Sequence, residues 1–431
     1  MVVAIDAKRD EEEFEGVVVV IREYDPSTDS DGADAVDREC ELGPPGGMSL
    51  HADLLGDPVA RIRHSPAYLM LVAETSEPGG GQIVGVIRGT VKEVATGKSG
   101  SGSSASASAR VGYILGLRVV PSHSEETKMA CVHVRAYRRM GIALRLVKQM
   151  ELWLEGQGAE YAYMATDTSN EASLRLFTDR CGYSKFRTPS LLVHPVHSHR
   201  LRAPRRATVV RLDAADAETL YRSSRRFAGV EFFPADIADV LRNPLSRGTF
   251  LSIVDDGYEW RGVERFLSSP PASWAVASAW DCGGVFRLEV RGASRLRRGA
   301  AAATRALDRA AKWLRVPSVP DLFRPFAGWF VYGLGGEGDD AALAAEALFA
   351  SVVNAARGRA AVVAVEVAAC DPLRRRIPHW RRLSCAEDLW CMKRLGGGGN
   401  HSDGWDWSRR DFVGWQFLFV EPGGTPVASI K

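Results

Sequence analysis

Ala136 to Met150 reads AYRRMGIALRLVKQM, with two arginines and a glycine set directly against an apolar-periodic run. Ala143, Leu146, Val147, Met150 and Leu154 recur at i, i+3, i+4, i+7 spacing, which predicts an amphipathic helix from Gly141 towards Gly156. Upstream, VGYILGLRVVP (111–121) is rich in β-branched and aromatic residues and predicts a strand. A helix that opens after a strand presents unpaired backbone N–H groups and the positive end of its dipole. Gly141 lets an anion approach the backbone, Ala143 keeps the first turn open, and Arg138 and Arg139 add positive charge. The stretch therefore reads as a phosphate site; a helix that merely begins with basic residues is the bland alternative.

Working outward, VVVVIREYD (17–25) predicts a buried strand, and 34–41 a short helix. SLHADLLGDP (49–58) predicts a second helical piece. AYLMLVAE and QIVGVIRGTVKEV predict an antiparallel hairpin, and the Ser/Gly/Ala run at 95–110 a flexible loop. Downstream of the helix come a strand, EYAYMATD, and a helix, NEASLRLFTDRCGY, with Asn170 placed to cap it and Gly182 to end it. KFRTPSLLVHPV (185–196) is expected to close this unit as a strand. The expected organisation is an acidic disordered tail at 1–16, a mixed α/β domain at 17–196 and a basic linker at 197–207. ATVVRLDAADAETLYRSS then repeats the strand-and-helix opening, so 208–395 reads as a diverged second copy, followed by an irregular tail at 396–431.

Composition sets wide bounds. A length of 431 residues suggests two or three domains. With 45% hydrophobic and 25% charged residues and a net charge of +2, the chain reads as soluble, with no mandate for nucleic acid or membranes. The first residues carry acids where a secretory signal needs a basic head, and no apolar run approaches the ~20 residues of a membrane span. Seven cysteines without a CxxC pair or a Cys/His ladder suggest reduced thiols of an intracellular protein and no metal site.

Arg138-Arg139-Met140-Gly141-Ile142-Ala143 resembles the R/Q-x-x-G-x-G/A signature of the GCN5-related N-acetyltransferases. Asn170, Ala172, Leu176, Phe177, Gly182 and Tyr183 resemble that superfamily's N-x-x-A-x-x-L-Y…G-F segment. IREYDPSTD, DLLGDPVARIRHSPAYLMLVAE, EVRGASRLRR and DPLRRRIPHWRRLSCAEDLWCMKRLG are similar to the plant HOOKLESS-type N-acetyltransferases over most of the chain. The resemblance implies the acetyltransferase fold, a mixed and mostly antiparallel sheet with flanking helices. It also implies acetyl-CoA as co-substrate, held by Leu117, Arg118 and Val119 on the strand, by Arg138 to Ala143 at the turn, and by Asn170. The implied reaction is direct acetyl transfer to an amine of a protein, a histone or chromatin-linked protein among them, or of a small molecule. A nuclear location and a role in hormone-linked differential growth, downstream of ethylene and linked to auxin in the apical hook, come from the same resemblance.

Two features depart from it. SEETKMACVHVRAY (124–137) separates the strand from the phosphate turn, and its excision would leave the seam LRVVPSHRRMGIALRLV. A splice or gene-model origin is favoured over a looped-out excursion or a regulatory lid. Phe177 stands where many relatives carry a tyrosine that protonates the departing thiolate, and it has no proton to donate. Tyr113 is the candidate base, with His123 behind it; Cys181, at a helix end, is a poor nucleophile. In the second copy, GLGGEG (333–338) is expected at the phosphate-turn position, but Glu337, Asp339 and Asp340 would repel a pyrophosphate. That half reads as non-catalytic, and a regulatory binding protein that keeps the fold is the alternative for the whole chain.

Overall fold

The structure, a computed structural model, describes residues 11–14, 17–40, 48–76, 81–99, 106–120, 141–255, 257–384 and 388–396. The insert at 124–137, His123, and Arg138, Arg139 and Met140 lie outside the described residues, as does the tail beyond 396.

The first half contains β1 (Glu11–Phe14), β2 (Val17–Glu23), α1 (Ser30–Glu39), β3 (Ser49–Asp53), β4 (Ala67–Ser76), β5 (Ile83–Ser99) and β6 (Ser106–Val119). It continues through α2 (Ile142–Gly156), β7 (Tyr161–Asp167), α3 (Glu171–Arg175) running into a π-helical turn (Leu176–Arg180), β8 (Ser184–Arg187) and β9 (Pro189–Pro195). The second half contains β10 (Ala207–Leu212), α4 (Ala214–Ser223), α5 (Ile237–Arg242), β11 (Ser246–Val254), α6 (Val263–Ser268), β12 (Trp274–Asp281), β13 (Arg287–Arg291) and α7 (Arg295–Ala310). It ends with β14 (Gly328–Glu337), α8 (Ala341–Ala356), β15 (Val362–Ala368) and β16 (Asp388–Arg394).

Two sheets dominate. One runs β1-β2-β4-β5-β6-β7-β16-β8, the other β10-β11-β12-β14-β15-β9. In each, an antiparallel meander leads to one parallel step: β6 beside β7, and β14 beside β15. The second half thus repeats the strand order of the first. The last strands, however, are exchanged. β16, from the end of the chain, pairs antiparallel with β7 from Asp388 opposite Asp167 to Arg394 opposite Tyr161, and fills the gap before β8. β9, from the first half, pairs with β15 and completes the second sheet.

Several expectations change accordingly. The 185–196 segment is two strands in two sheets, because the run breaks at Thr188, before Pro189, and each piece finds a different neighbour. Residues 49–53 form a strand, not a helix: β3 pairs with β13 of the second half, so tertiary pairing overrides the local pattern. The expected loop at 95–110 is largely strand, since β5 runs to Ser99 and β6 starts at Ser106. Ala95 also exchanges backbone bonds with Phe232 and Phe233. Within the expected acidic tail, Glu11–Phe14 is a strand on β2. The expected linker is packed: His197 and His199 are buried, stack 4.8 Å apart, and His199 Nδ1 lies 2.7 Å from Asp308 Oδ1.

α2 forms where expected and seats Ile142, Leu146, Val147, Met150 and Leu154 on the sheet. Each such side chain contributes about 1.5–3 kcal/mol on burial. The fit is close: a Cβ at Gly89 would come 2.3 Å from Met150 Sδ, and one at Gly112 2.6 Å from Leu154 Cδ2.

The exchanged β16 also ties the halves together chemically. Trp390 stacks on Tyr163 of β7 at 5.2 Å, and its Nε1 donates to Glu366 Oε1 of β15 at 3.0 Å. Arg187 on β8 pairs with Glu231 of the second half. Burial raises the pKa of Glu366 and of Asp388 above the carboxylate range, and Asp388 is raised further by its neighbours Glu366 and Asp167.

Two measurements check this architecture. Residues 1–206 and 207–431 are expected to lack a cooperative thermal transition when expressed separately and to recover one when co-expressed, because each sheet needs a strand from the other piece. Asp388 and Glu366 bind protons more tightly folded than unfolded. Their stability contribution is therefore lost as pH rises from the unfolded pKa, about 4, through the raised folded value. Denaturant titrations at pH 5.5 and 8.5 should show Asp388→Asn losing less stability over that interval than the parent chain.

Candidate acetyl-donor cleft

β6 and β7 pair in parallel only from Val111 opposite Tyr161 to Ile114 opposite Met164. Beyond that they diverge, and a cleft with a volume of about 140 Å³ opens between them. Tyr113, Gly116, Leu117 and Arg118 line one wall; Thr166, Asp167 and Asn170 line the other. Along the open stretch the β7-facing backbone groups of β6 have no strand partner among the described residues, so they are free to bond an extended ligand.

A β-bulge shapes this wall. Arg88 lies opposite Leu115 and Val86 opposite Arg118, so Gly116 and Leu117 together face the single residue Ile87. Gly116 sits at φ +61°, and a Cβ there would lie 2.8 Å from Arg88 Nη1. Arg88, almost fully buried, locks the bulge: Nη1 donates to Gly116 O at 3.3 Å, Nε to Pro58 O at 2.6 Å, and Nη2 to Asp37 Oδ2 at 2.5 Å.

α2 begins beside the end of β6. Gly141 is its N-cap at φ +62°, with nothing within 4 Å of where a Cβ would stand. The N-cap glycine offers no side-chain cap and the first turn carries no acid. A helix start of this kind leaves its leading N–H groups, those of Ile142 and Ala143 among them, without a cap from Gly141 and able to suit an anion.

Asn170 plays the capping role expected of it: Oδ1 accepts from Ser173 N at 3.2 Å and Nδ2 donates to Thr166 Oγ1 at 3.2 Å, while the residue still lines the cleft. Phe177 forms part of the lining but is buried, edge-to-face on Tyr183 at 5.1 Å. Tyr113 stacks on Tyr163 at 4.5 Å, which places it in one aromatic row with Trp390. Burial pushes the Cys181 thiol up to about 11, which disfavours the thiolate. Of the expected cofactor residues, the structure gathers Leu117, Arg118, Val119, Gly141, Ile142, Ala143 and Asn170 around one cleft and the helix start beside it. Arg61 and Asp167 were not expected; they reach the cleft from a loop and a strand end that carry no local motif.

The second half has a matching bulge, where Val276 opposes Gly335 and Ser278 opposes Tyr332, with Gly333 at φ +65°. Gly333 thus corresponds to Gly116 and lies within β14, so GLGGEG is not a phosphate turn as its glycines suggested. This bulge is occupied: Arg226 Nε donates to Gly336 O at 3.0 Å, and Phe227 packs on Gly335. Among the described residues, no group of three His, Cys, Asp or Glu could hold a metal, and no helix is long and apolar enough to cross a membrane.

A bulged strand that splays from a parallel neighbour, next to a helix start, is an arrangement able to hold an extended acyl donor, and it points to the acetyltransferase class. Residues 39–183 match the Acetyltransferase (GNAT) family. The chain is 50% identical over 408 residues to the Probable N-acetyltransferase HLS1 of Arabidopsis thaliana, covering 91% of this chain and 96% of that protein. It is 48% identical over 415 residues to the Probable N-acetyltransferase HLS1-like of the same plant, with the same coverage. To the Acetyl transferase GW6a of Oryza sativa subsp. japonica it is 37% identical over 441 residues, covering 94% and 97%. The chain belongs to this acetyltransferase family.

The bulge offers a direct check. Gly116→Val should strain φ and press on Arg88, lowering the thermal midpoint and weakening acetyl-CoA binding together. Asn170→Ala should cost about 1 kcal/mol of stability through loss of the cap, read by urea titration.

Proposed function

We propose that the chain transfers an acetyl group from acetyl-CoA directly to an amine, without a covalent enzyme intermediate. The observation that carries this reading is the divergence of β6 from β7 at the Gly116 bulge, beside the uncapped start of α2. The β7-facing edge of β6 around Leu117 to Val119, which has no strand partner among the described residues, suits the amides of a pantetheine arm, and the α2 start with Gly141 suits a pyrophosphate. Acetyl-CoA supplies an activated thioester. The backbone donors of the bulge polarise its carbonyl, and the cleft walls hold the amine in line for attack. Tyr113, lining the cleft, is the candidate to accept the amine proton, directly or through a water. Phe177 provides no proton for the leaving thiolate, so water supplies it.

The acceptor classes in view are a protein amine, including a histone or chromatin-linked one, and a small molecule. We further propose that the activity lies inside the cell, with the nucleus favoured, in growth regulation of the hormone-linked kind, a setting that follows from the sequence resemblance to the plant HOOKLESS-type acetyltransferases. A second reading, a regulatory protein that keeps the fold as a binding module, draws support from Phe177 and from the insert at 124–137.

A thermal-shift titration with acetyl-CoA separates them. At 100 times its dissociation constant the ligand should add about 2.7 kcal/mol of stability. A shift with and without residues 124–137 makes the insert a tolerated loop; a shift only in the shortened chain makes it an inactivating one; no shift in either favours the binding module. Tyr113→Phe should leave that shift in place and lower the rate of CoA release by roughly 10²-fold or more.

A further inference from the structure

α7 turns its apolar side away from the core. Its two buried residues, Ala301 and Asp308, lie seven apart on one side of the helix. Two residues beyond each of them, Ala303 and Ala310 stand nearly opposite around the helix, in line with Leu296 and Leu307. That line is exposed. Leu296 is 87% and Leu307 47% accessible, and the short turn that follows, Lys312–Leu314, adds Trp313 at 79% and Leu314 at 48%. Four of the seven large hydrophobic residues exposed among the described residues thus belong to α7 and its closing turn.

The inward side of α7 is anchored, so the helix keeps this orientation. Asp308 is fully buried: its Oδ2 accepts from Ser198 N and from Ser318 Oγ, each at 2.7 Å, and its Oδ1 lies 2.7 Å from His199 Nδ1. A roll that buried Leu296 and Leu307 would take the carboxylate from these donors and leave them unpaired. The helix is also strongly basic. It holds five arginines and one acid, Asp308, whose charge faces inward. Arg295, Arg298 and Arg309 are exposed and form no ion pair among the described residues; Arg298 lies over Phe323 at 5.8 Å. The first turn contains no acid, so its arginines stand unrelieved at the positive end of the helix dipole.

We propose that the outer face of α7 is a docking surface for an acidic amphipathic helix of another protein. The partner sets apolar side chains against Leu296, Leu307 and Trp313 and carboxylates against the exposed arginines. Charge complementarity selects this occupant. A second copy of the chain would bring arginine against arginine along the contact, and no exposed acid of α7 offsets them. Between Leu296 and Leu307 the line holds only Gly299, Ala300 and Ala303. These offer too little apolar bulk to enter a bilayer, yet leave room for a partner helix to lie close. Carboxylates beside Arg295 and Arg298 also relieve the start of the helix.

The test uses the full chain and a fluorescein-labelled acidic peptide of about the length of α7, with leucines at helical spacing on one face and glutamates on both flanks. One control peptide moves the leucines off that face; the other replaces each glutamate by lysine. Fluorescence anisotropy should show the acidic peptide binding about tenfold or more tightly than either control, and more weakly as salt rises. Leu307→Glu, Trp313→Ala and the double change Arg295→Glu with Arg298→Glu should each weaken it about tenfold or more. The thermal midpoints of these variants should stay close to that of the parent, because the replaced side chains are exposed. Equal binding of a control peptide, no binding of the acidic one, or binding that survives all the substitutions overturns the proposal. So do three results that assign the face elsewhere: dimerisation in sedimentation velocity that Leu307→Glu abolishes, tighter binding of phosphatidylserine vesicles or duplex DNA through the same residues, and peptide binding that requires removal of residues 397–431.

Discussion

The backbone pairing of β16 between β7 and β8 is the constraint on which the rest of the molecule depends. A strand that leaves its parallel neighbour exposes a row of polar backbone groups and loses ladder bonds. β7 can diverge from β6 because its other edge is bound along its whole length by β16, from Asp388 to Arg394. One wall of the open cleft is thereby backed by a strand supplied from the other half of the chain. The reciprocal step, β9 on β15, makes the arrangement mutual. Neither sheet reaches its full set of strands from its own half.

This exchange links the cleft to the second half through packed side chains. Tyr113 on the cleft wall stacks on Tyr163, Tyr163 on Trp390, and Trp390 donates to Glu366 in the other sheet. Phe232, also from the second half, meets both Tyr163 and Trp390 edge-on at 5.5 Å. Aromatic contacts of this kind contribute about 0.5–1.5 kcal/mol each beyond burial. The candidate base is therefore braced, through Tyr163, by Phe232 and Trp390 of the second half. Further along the first half, β13 pairs with β3, and Phe286 lies 5.7 Å from the Arg61 guanidinium.

The second half has the architecture of a donor site with the space already taken. Its bulge at Gly333 repeats the geometry of Gly116, yet Arg226 and Phe227 occupy the backbone and the room beside it. In the first half Arg88, on the neighbouring strand, donates to Gly116 O, and the cleft beside the bulge stays open. The same topological solution thus serves once as a cleft and once as a wall. That division explains why the second half stays integral to the fold: it supplies a strand and an aromatic stack to the first sheet.

The amino-acid pattern by itself determined the local elements whose periodicity is strong. α2 begins at the glycine the pattern singled out, Asn170 caps its helix, and the strand that spans 111–119 carries the cleft wall, because apolar spacing and capping chemistry act over a few residues. The repeat of the strand-and-helix opening announced a second copy on the same grounds. Only the tertiary structure decided which sheet receives 189–195 and 388–394. An apolar β-branched or aromatic run specifies a strand but carries no address for its partner. It also decided that 49–53 is a strand, that Gly333 belongs to a bulge, and that Arg61, Arg88 and Arg118 converge. These depend on hydrogen-bond partners and charges brought together from distant positions, and no window of sequence contains both sides of such a contact.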